Sequence, residues 1–211
     1  MFRFAGGRGR WIAKFHSHAN FSPLFLPSPA QLGLAYLLSE VLLAVTRHAN
    51  AKADSRHDRN SLRVLWIAIG LSIAAGIYLT HHVPAAALPH HRSFAIAGAV
   101  IFVVGLILRW WSIVQLGRFF TVNVSIAEDH RLVNSGPYRF VRHPSYTGAL
   151  LAFLGFSLSL GNGAAVLAIM LPISAAFAYR IDVEERALIA GLGEAYRDYA
   201  ARTKRLLPFV Y

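Results

Sequence analysis

Apolar residues in this chain fall into long uncharged runs separated by short polar, mostly basic strips. Five runs stand out, at about 30–46, 62–80, 94–116, 146–160 and 164–179. Crossing a hydrocarbon core takes roughly 20 apolar residues as a helix. The first three runs meet that length or approach it, whereas the last two are short. Only Gly161-Asn162-Gly163 parts the short pair, which predicts a helical hairpin. Its small residues Gly148, Gly155, Ser157, Ala164, Ala165, Ala175 and Ala176 predict close approach of the hairpin's two helices. Beyond it, 181–202 reads as an amphipathic helix. Leu188, Leu192, Tyr196 and Tyr199 recur at spacings of four, four and three, which places them on one face. Gly191 and Gly193 weaken its middle. The expected fold class is therefore all-α: an integral membrane protein with about five transmembrane helices, a C-terminal amphipathic helix and no Rossmann domain. One domain is expected overall, with 1–93 holding the N-terminal segment and the first two spans, and 94–211 holding the chemically distinctive core.

Composition agrees with the pattern. The chain is 55% hydrophobic and 15% charged, where a soluble domain carries about a quarter charged residues. The absence of cysteine excludes disulfides, thiolate metal sites and a cysteine nucleophile. A formal charge of +11 would suit nucleic acid, but no basic-aromatic module accompanies it; no nucleic-acid partner is expected. Basic loops facing anionic membrane lipids account for the charge more simply. With five spans, one side receives fifteen Lys and Arg and the other five, Arg109 being intramembrane. That bias predicts a cytoplasmic C-terminus, and the basic N-terminus fits it least well. Residues 1–20 lack the apolar core of a cleavable signal peptide, and the three prolines of 21–29 read as a connector.

Candidate chemistry concentrates between the third and fourth runs, in Gly136-Pro137-Tyr138-Arg139-Phe140-Val141-Arg142-His143-Pro144-Ser145-Tyr146-Thr147-Gly148. Gly136-Pro137 signals a turn. Pro144 suits the first turn of a helix, so the fourth helix is expected to start there with free amides facing the strip, a place for an anion. Tyr138 and Tyr146 offer ring faces to a cation. The same residue types also make an ordinary juxtamembrane anchor, and the strip alone does not separate the two readings. A second signature follows the hairpin: Arg180 and Glu184, four apart on one helical face. They read either as a plain ion pair or as an arginine fork for a carboxylate beside a carboxylate for a cation. Glu40 and Arg109 are the two charges inside spans. Each lies about 10 Å deep at 1.5 Å per residue, so they either meet or Arg109 snorkels to the interface. His81-His82 and His90-His91 read as solvated loop residues; no metal site is expected. No Gly-x-Gly-x-x-Gly occurs, leaving a Rossmann nucleotide site unsupported.

Taken in order, several motifs resemble the isoprenylcysteine carboxyl methyltransferase family of integral membrane enzymes. They are His130-Arg-Leu-Val133, Gly136-Pro-Tyr138, Arg142-His-Pro-Ser-Tyr146-x-Gly148, Arg180-x3-Glu184-Glu185-x2-Leu188 and Gly193-x2-Tyr196-x2-Tyr199. The match covers about 106–211; residues 1–90 show no comparable likeness. The resemblance implies S-adenosylmethionine as cofactor, held by His130, Leu132, Val133, Tyr138, His143, Pro144, Ser145, Tyr146 and Glu184. It implies Arg180 as the catalytic residue on the acceptor side and a lipophilic carboxylate substrate, with membrane lipids as the other expected partner. Asn123 stands where eukaryotic members carry glutamine, a departure. The alternative is an NADPH-dependent membrane reductase of the sterol or steroid type, which shares the Arg-His-Pro-x-Tyr strip. Those enzymes usually carry asparagine where this chain has Ser145, and an acidic residue where it has Ala149. A non-catalytic scaffold is the third reading, and the paired signatures weigh against it.

Overall fold

The structure, a computed structural model, describes residues 26–47, 56–117 and 132–208. It comprises six α-helices among the described residues: α1 (Pro29–Arg47), α2 (Arg56–His82), α3 (His91–Leu116), α4 (Pro144–Ser159), α5 (Gly163–Leu192) and α6 (Glu194–Arg202). Short 3₁₀ turns occupy Pro84–Ala86 and Gly136–Arg139. Four helices, α1, α2, α3 and α5, are long and apolar enough to cross a membrane. Their outer faces carry exposed Leu, Val, Ile and Trp in numbers suited to lipid, among them Leu37, Leu38, Ile67, Leu71, Ile107 and Leu171. The chain is an integral, multi-pass membrane protein.

Helix α4 has 16 residues, about 24 Å at 1.5 Å per residue, too short to span a bilayer of roughly 30 Å alone. The chain leading into it solves this. Residues 135–145 descend turn by turn along α3. Gln115 Nε2 donates to Ser135 Oγ (2.8 Å), Tyr138 Oη to Ser112 O (3.3 Å) and Arg109 Nη1 to Ser145 O (3.4 Å). Helix α4 thus begins level with Arg109, about 10 Å below the end of α3. Its far end still reaches the opposite loop. Leu88 N–H donates to Gly161 O (2.8 Å), and the buried Asn162 donates from Nδ2 to Val83 O (2.9 Å) while its Oδ1 caps α5 at Ala165 N (3.0 Å).

The expected hairpin exists, but its small residues act elsewhere. α4 packs chiefly on α3, and α5 chiefly on α2. Gly148 and Gly155 face Gly105 and Gly98 of α3. A Cβ at Gly105 would fall 2.5 Å from Ala152 N and 2.6 Å from Gly148 O, and one at Gly98 would fall 2.6 Å from Gly155 O. Backbone meets backbone along this seam because two glycines seven residues apart on each helix leave no side chain between them. A second correction concerns the C-terminal helix. The fifth run does not stop at Tyr179: α5 continues unbroken through Arg180 and Glu184 to Leu192 and ends at Gly193, whose φ of 57° favours glycine. α6 is a separate short helix. Leu188, Leu192, Tyr196 and Tyr199 therefore do not share one helical face; the tyrosines are buried and the leucines half-buried.

The core lies between the helices, with Leu65, Ile69, Phe102, Phe153, Phe156, Ile169, Ile173 and Phe177 closed off from solvent. Helix α1 touches the bundle lightly. Its anchors are Tyr36 against Phe153 (ring centroids 4.7 Å apart), a Trp110 Nε1 hydrogen bond to Ser39 Oγ (2.7 Å), and Glu40. Glu40 and Arg109 meet: Nε–Oε1 is 2.8 Å and Nη2–Oε2 is 2.9 Å, a fork-to-fork pair. Arg109 does not snorkel.

Candidate active site

The two signatures converge. Tyr146 Oη donates to Glu184 Oε2 at 2.6 Å. The His143 ring stacks parallel to Tyr146 with centroids 5.5 Å apart, and its Nδ1 lies 3.8 Å from Glu184 Oε2. Tyr146 in turn packs on Phe177 of α5 (5.2 Å). Arg180, one turn before Glu184, is buried and donates from Nη1 to Ser61 Oγ of α2 at 2.7 Å, while also standing against the Tyr146 hydroxyl. Arg180 and Glu184 thus both meet the Tyr146 hydroxyl, and Arg180 also reaches Ser61 of α2. A carboxylate, two ring faces and a guanidinium surround one place, roughly at the depth where α5, counted about 20 residues from Gly163, leaves the hydrocarbon.

Glu185 is the structural counterpart of Glu184. Its Oε1 accepts from Arg142 Nε (2.7 Å) and lies 3.2 Å from His143 Nε2; its Oε2 accepts from Arg205 Nε (3.0 Å). Arg205 also pairs with Asp182 (2.9 Å). The tail after α6 runs beside the strip. Arg142 N–H donates to Lys204 O (2.8 Å), His143 N–H to Arg205 O (3.0 Å) and Thr147 Oγ1 to Leu206 O (2.8 Å). The Arg142 side chain adds bonds to Ala200 O (2.8 Å) and Thr203 O. From α6, Tyr199 Oη donates to Tyr138 O at 2.6 Å. Burial pushes the Tyr199 phenol up to about 12 and raises those of Tyr138 and Tyr196 further, so all three keep their protons.

Of the residues expected at the site, Tyr138, His143, Pro144 and Ser145 are buried, and Tyr146, Glu184, Leu132 and Val133 are half-buried. His143, Tyr146, Glu184 and Arg180 form the cluster. Tyr138 stands within electrostatic reach of Glu184, its carbonyl accepting from Tyr199 and its hydroxyl donating to Ser112 O of α3. Pro144 starts α4 as expected and Ser145 fixes the helix start to Arg109. Leu132 and Val133 lie in the non-helical run before Gly136. His130 and Asn123 lie outside the described residues. The expected set of free amides at the start of α4 is reduced: Tyr146 N–H and Thr147 N–H both donate to His143 O (3.0 and 3.1 Å). Sequence reasoning missed Ser61, Arg205 and the tail carbonyls. Arg205 falls in a non-periodic tail and Ser61 in the unmatched N-terminal part, so no local pattern marked them. Among the described residues no cluster of metal-ligating side chains occurs.

Comparison with known proteins follows the same lines. The sequence profile of the isoprenylcysteine carboxyl methyltransferase family matches residues 98–190. Protein-S-isoprenylcysteine O-methyltransferase A of Arabidopsis thaliana is 31% identical over 82% of this chain and 87% of its own length. The B protein of the same plant is 32% identical with the same coverage. Among solved structures, a eukaryotic intramembrane Ras methyltransferase, isoprenylcysteine carboxyl methyltransferase, superposes with a TM-score of 0.61 and 25% identity, covering 89% of this chain and 70% of that one. The relatives carry methyltransferase names, and the reductase alternative gains no support from them.

Proposed function

We propose, for a chain that belongs to the isoprenylcysteine carboxyl methyltransferase family and is a membrane-embedded O-methyltransferase, that it uses S-adenosylmethionine to methylate the carboxylate of a lipophilic acceptor at the cytoplasmic face. The observation that carries this reading is the 2.6 Å bond from Tyr146 Oη to Glu184 Oε2, with the His143 ring stacked beside it and the buried Arg180 one helical turn below. The donor set fits such a cofactor. Glu184 keeps about a quarter of its side-chain surface open (26%), so its carboxylate can face a cation, and the Tyr146 and His143 rings supply polarisable walls for a sulfonium. His130, Leu132, Val133, Tyr138, His143, Pro144, Ser145, Tyr146 and Glu184 would hold the cofactor. When bound, it supplies an electrophilic methyl group on a positively charged sulfur.

The rest of the chemistry falls to the protein's own groups. A carboxylate acceptor is already ionised near neutral pH, so no general base is required. Arg180 receives that anion with a planar fork and aims one oxygen. Its bond to Ser61 fixes the fork's rotation, which leaves the arginine orienting the nucleophile more than neutralising it. α6 and the tail cover the strip and exclude water, raising the reactivity of a stripped carboxylate. The acceptor's lipid chain would enter sideways beside α1, which is held to the bundle by few contacts. The names of the plant relatives make a prenylated cysteine carboxylate the first acceptor to try.

Purified protein in detergent should bind S-adenosylhomocysteine and not NADPH by calorimetry, and should transfer a labelled methyl group from S-adenosylmethionine to N-acetyl-S-farnesylcysteine or to a lipid-extract carboxylate. NADPH binding without S-adenosylhomocysteine binding would overturn the proposal.

A further inference from the structure

The Tyr196 hydroxyl stands apart from every other buried polar group in this region. Tyr196 is 3% exposed, and its Oη makes no hydrogen bond among the described residues. Its neighbours all bond: Tyr199 to Tyr138 O and Tyr146 to Glu184. The Tyr196 ring is locked edge-on against Tyr199, centroids 6.0 Å apart at 62°. The hydroxyl lies within electrostatic reach of Glu184, Glu185 and Arg142. Burial keeps its proton on, so it is a donor in want of an acceptor, and leaving a buried donor unmet is unfavourable. Glu185 does not serve: Arg142, His143 and two nitrogens of Arg205 already take the four acceptor positions of its carboxylate.

We infer that the Tyr196 hydroxyl is a cofactor-binding donor that takes the α-carboxylate of the methyl donor's amino-acid tail. This rests on the reading of the site given above. Glu184 is the half-open carboxylate of the cluster and suits the tail's cationic groups. An α-amino acid carries ammonium and carboxylate on one carbon, so a tail whose ammonium meets Glu184 brings its carboxylate alongside. That carboxylate needs a donor which is buried, proton-bearing and not already engaged, and Tyr196 meets those conditions. Holding both ends of the zwitterion fixes the tail, which aligns the sulfur with respect to Arg180.

Tyr196→Phe removes one oxygen and leaves the ring contact with Tyr199 in place. In the ligand-free protein the melting temperature should equal or exceed that of wild type, because an unmet donor is lost. Affinity for S-adenosylhomocysteine by calorimetry should fall about tenfold, the loss of one hydrogen bond to a charged group. Decarboxylated S-adenosylhomocysteine, measured by competition, should bind both proteins equally. Unchanged affinity for S-adenosylhomocysteine would make Tyr196 an ordinary core tyrosine. A lower ligand-free melting temperature would mean the hydroxyl is already bonded within the protein. An equal deficit with the decarboxylated ligand would place the hydroxyl on another part of the molecule. Each of these overturns the inference. Failure of wild type to bind S-adenosylhomocysteine would instead overturn the reading of the site itself.

Discussion

Two adjacent glutamates on α5 have opposite assignments because one residue of helix turns a side chain by about 100°. Glu184 points to Tyr146 and keeps an open side, while Glu185 is 8% exposed and receives two arginines and a histidine. Glu184→Gln should therefore weaken S-adenosylhomocysteine binding while shifting unfolding free energy by less than about 1 kcal/mol. Glu185→Gln should destabilise the protein by about 2–4 kcal/mol, because Arg142 and Arg205 lose a charged acceptor in a half-buried place. Thermal unfolding in detergent, run beside calorimetry on both variants, separates the two. Equal stability losses would refute the division of labour. The sequence shows Arg142, His143, Glu184 and Glu185 as a motif, since all fall in two short strips. It does not show which glutamate is open. That depends on Arg205, twenty residues further along in a tail with no periodicity, and on the direction in which α6 folds back. Depth allowed Glu40 and Arg109 to meet but left a snorkelling Arg109 equally open; the structure shows the pair, which satisfies two costly intramembrane charges at once.

At the scale of elements, the glycine seam between α3 and α4 sets the position of the strip. A Cβ at Gly155 would collide with Gly98 O and with Phe102 N, both backbone atoms that cannot rotate away. Gly155→Val should cost at least about 1–3 kcal/mol of stability by overpacking. It should also lower activity, since α4 must shift with Ser145 and Tyr146 attached. Gly70→Ala is the matched control: nothing lies within 4 Å of a Cβ there, and alanine in a helix interior should stabilise by about 0.5–1 kcal/mol. Melting temperatures of the pair should move in opposite directions, and a tolerated Gly155→Val would show that the seam is not tight. Small residues at membrane helix interfaces were visible in the sequence, but their partner was not. Glycine marks a close approach without saying which helix approaches, and the adjacent hairpin helix was the natural, mistaken choice. The length of α5 was hidden for a related reason. Arg180, Asp182, Glu184 and Glu185 end an apolar run, yet charge does not break backbone hydrogen bonding; Gly193 does.

At the scale of the whole molecule, the described connections gather at two ends. The segment 83–88 and the turn at Gly161-Asn162 bond to each other at one end. The strip, α6 and the tail gather at the other. Every link in the site is made at that second end, where α3 with α4, α2 with α5, and the tail converge. By the five-run count, fifteen Lys and Arg are expected at that end and five at the other. Loops rich in Lys and Arg stay cytoplasmic as a rule, so the end that holds the site is expected to face the cytoplasm, where a soluble adenosyl cofactor is also found. The chain has no cysteine, so single cysteines report sidedness without background. Ala85→Cys, exposed in the 83–88 loop, and Ala201→Cys, exposed on α6, mark the two ends. In sealed membrane vesicles of known orientation, an impermeant maleimide applied to the non-cytoplasmic face should label Ala85→Cys at once and Ala201→Cys only after detergent. The basic N-terminal segment opposes this arrangement, and its four charges give the reverse orientation its best case. Labelling of Ala201→Cys from the non-cytoplasmic face would establish that reverse orientation. It would put the Tyr146–Glu184 contact beyond the reach of a cytoplasmic cofactor and overturn the assignment of the site along with the topology.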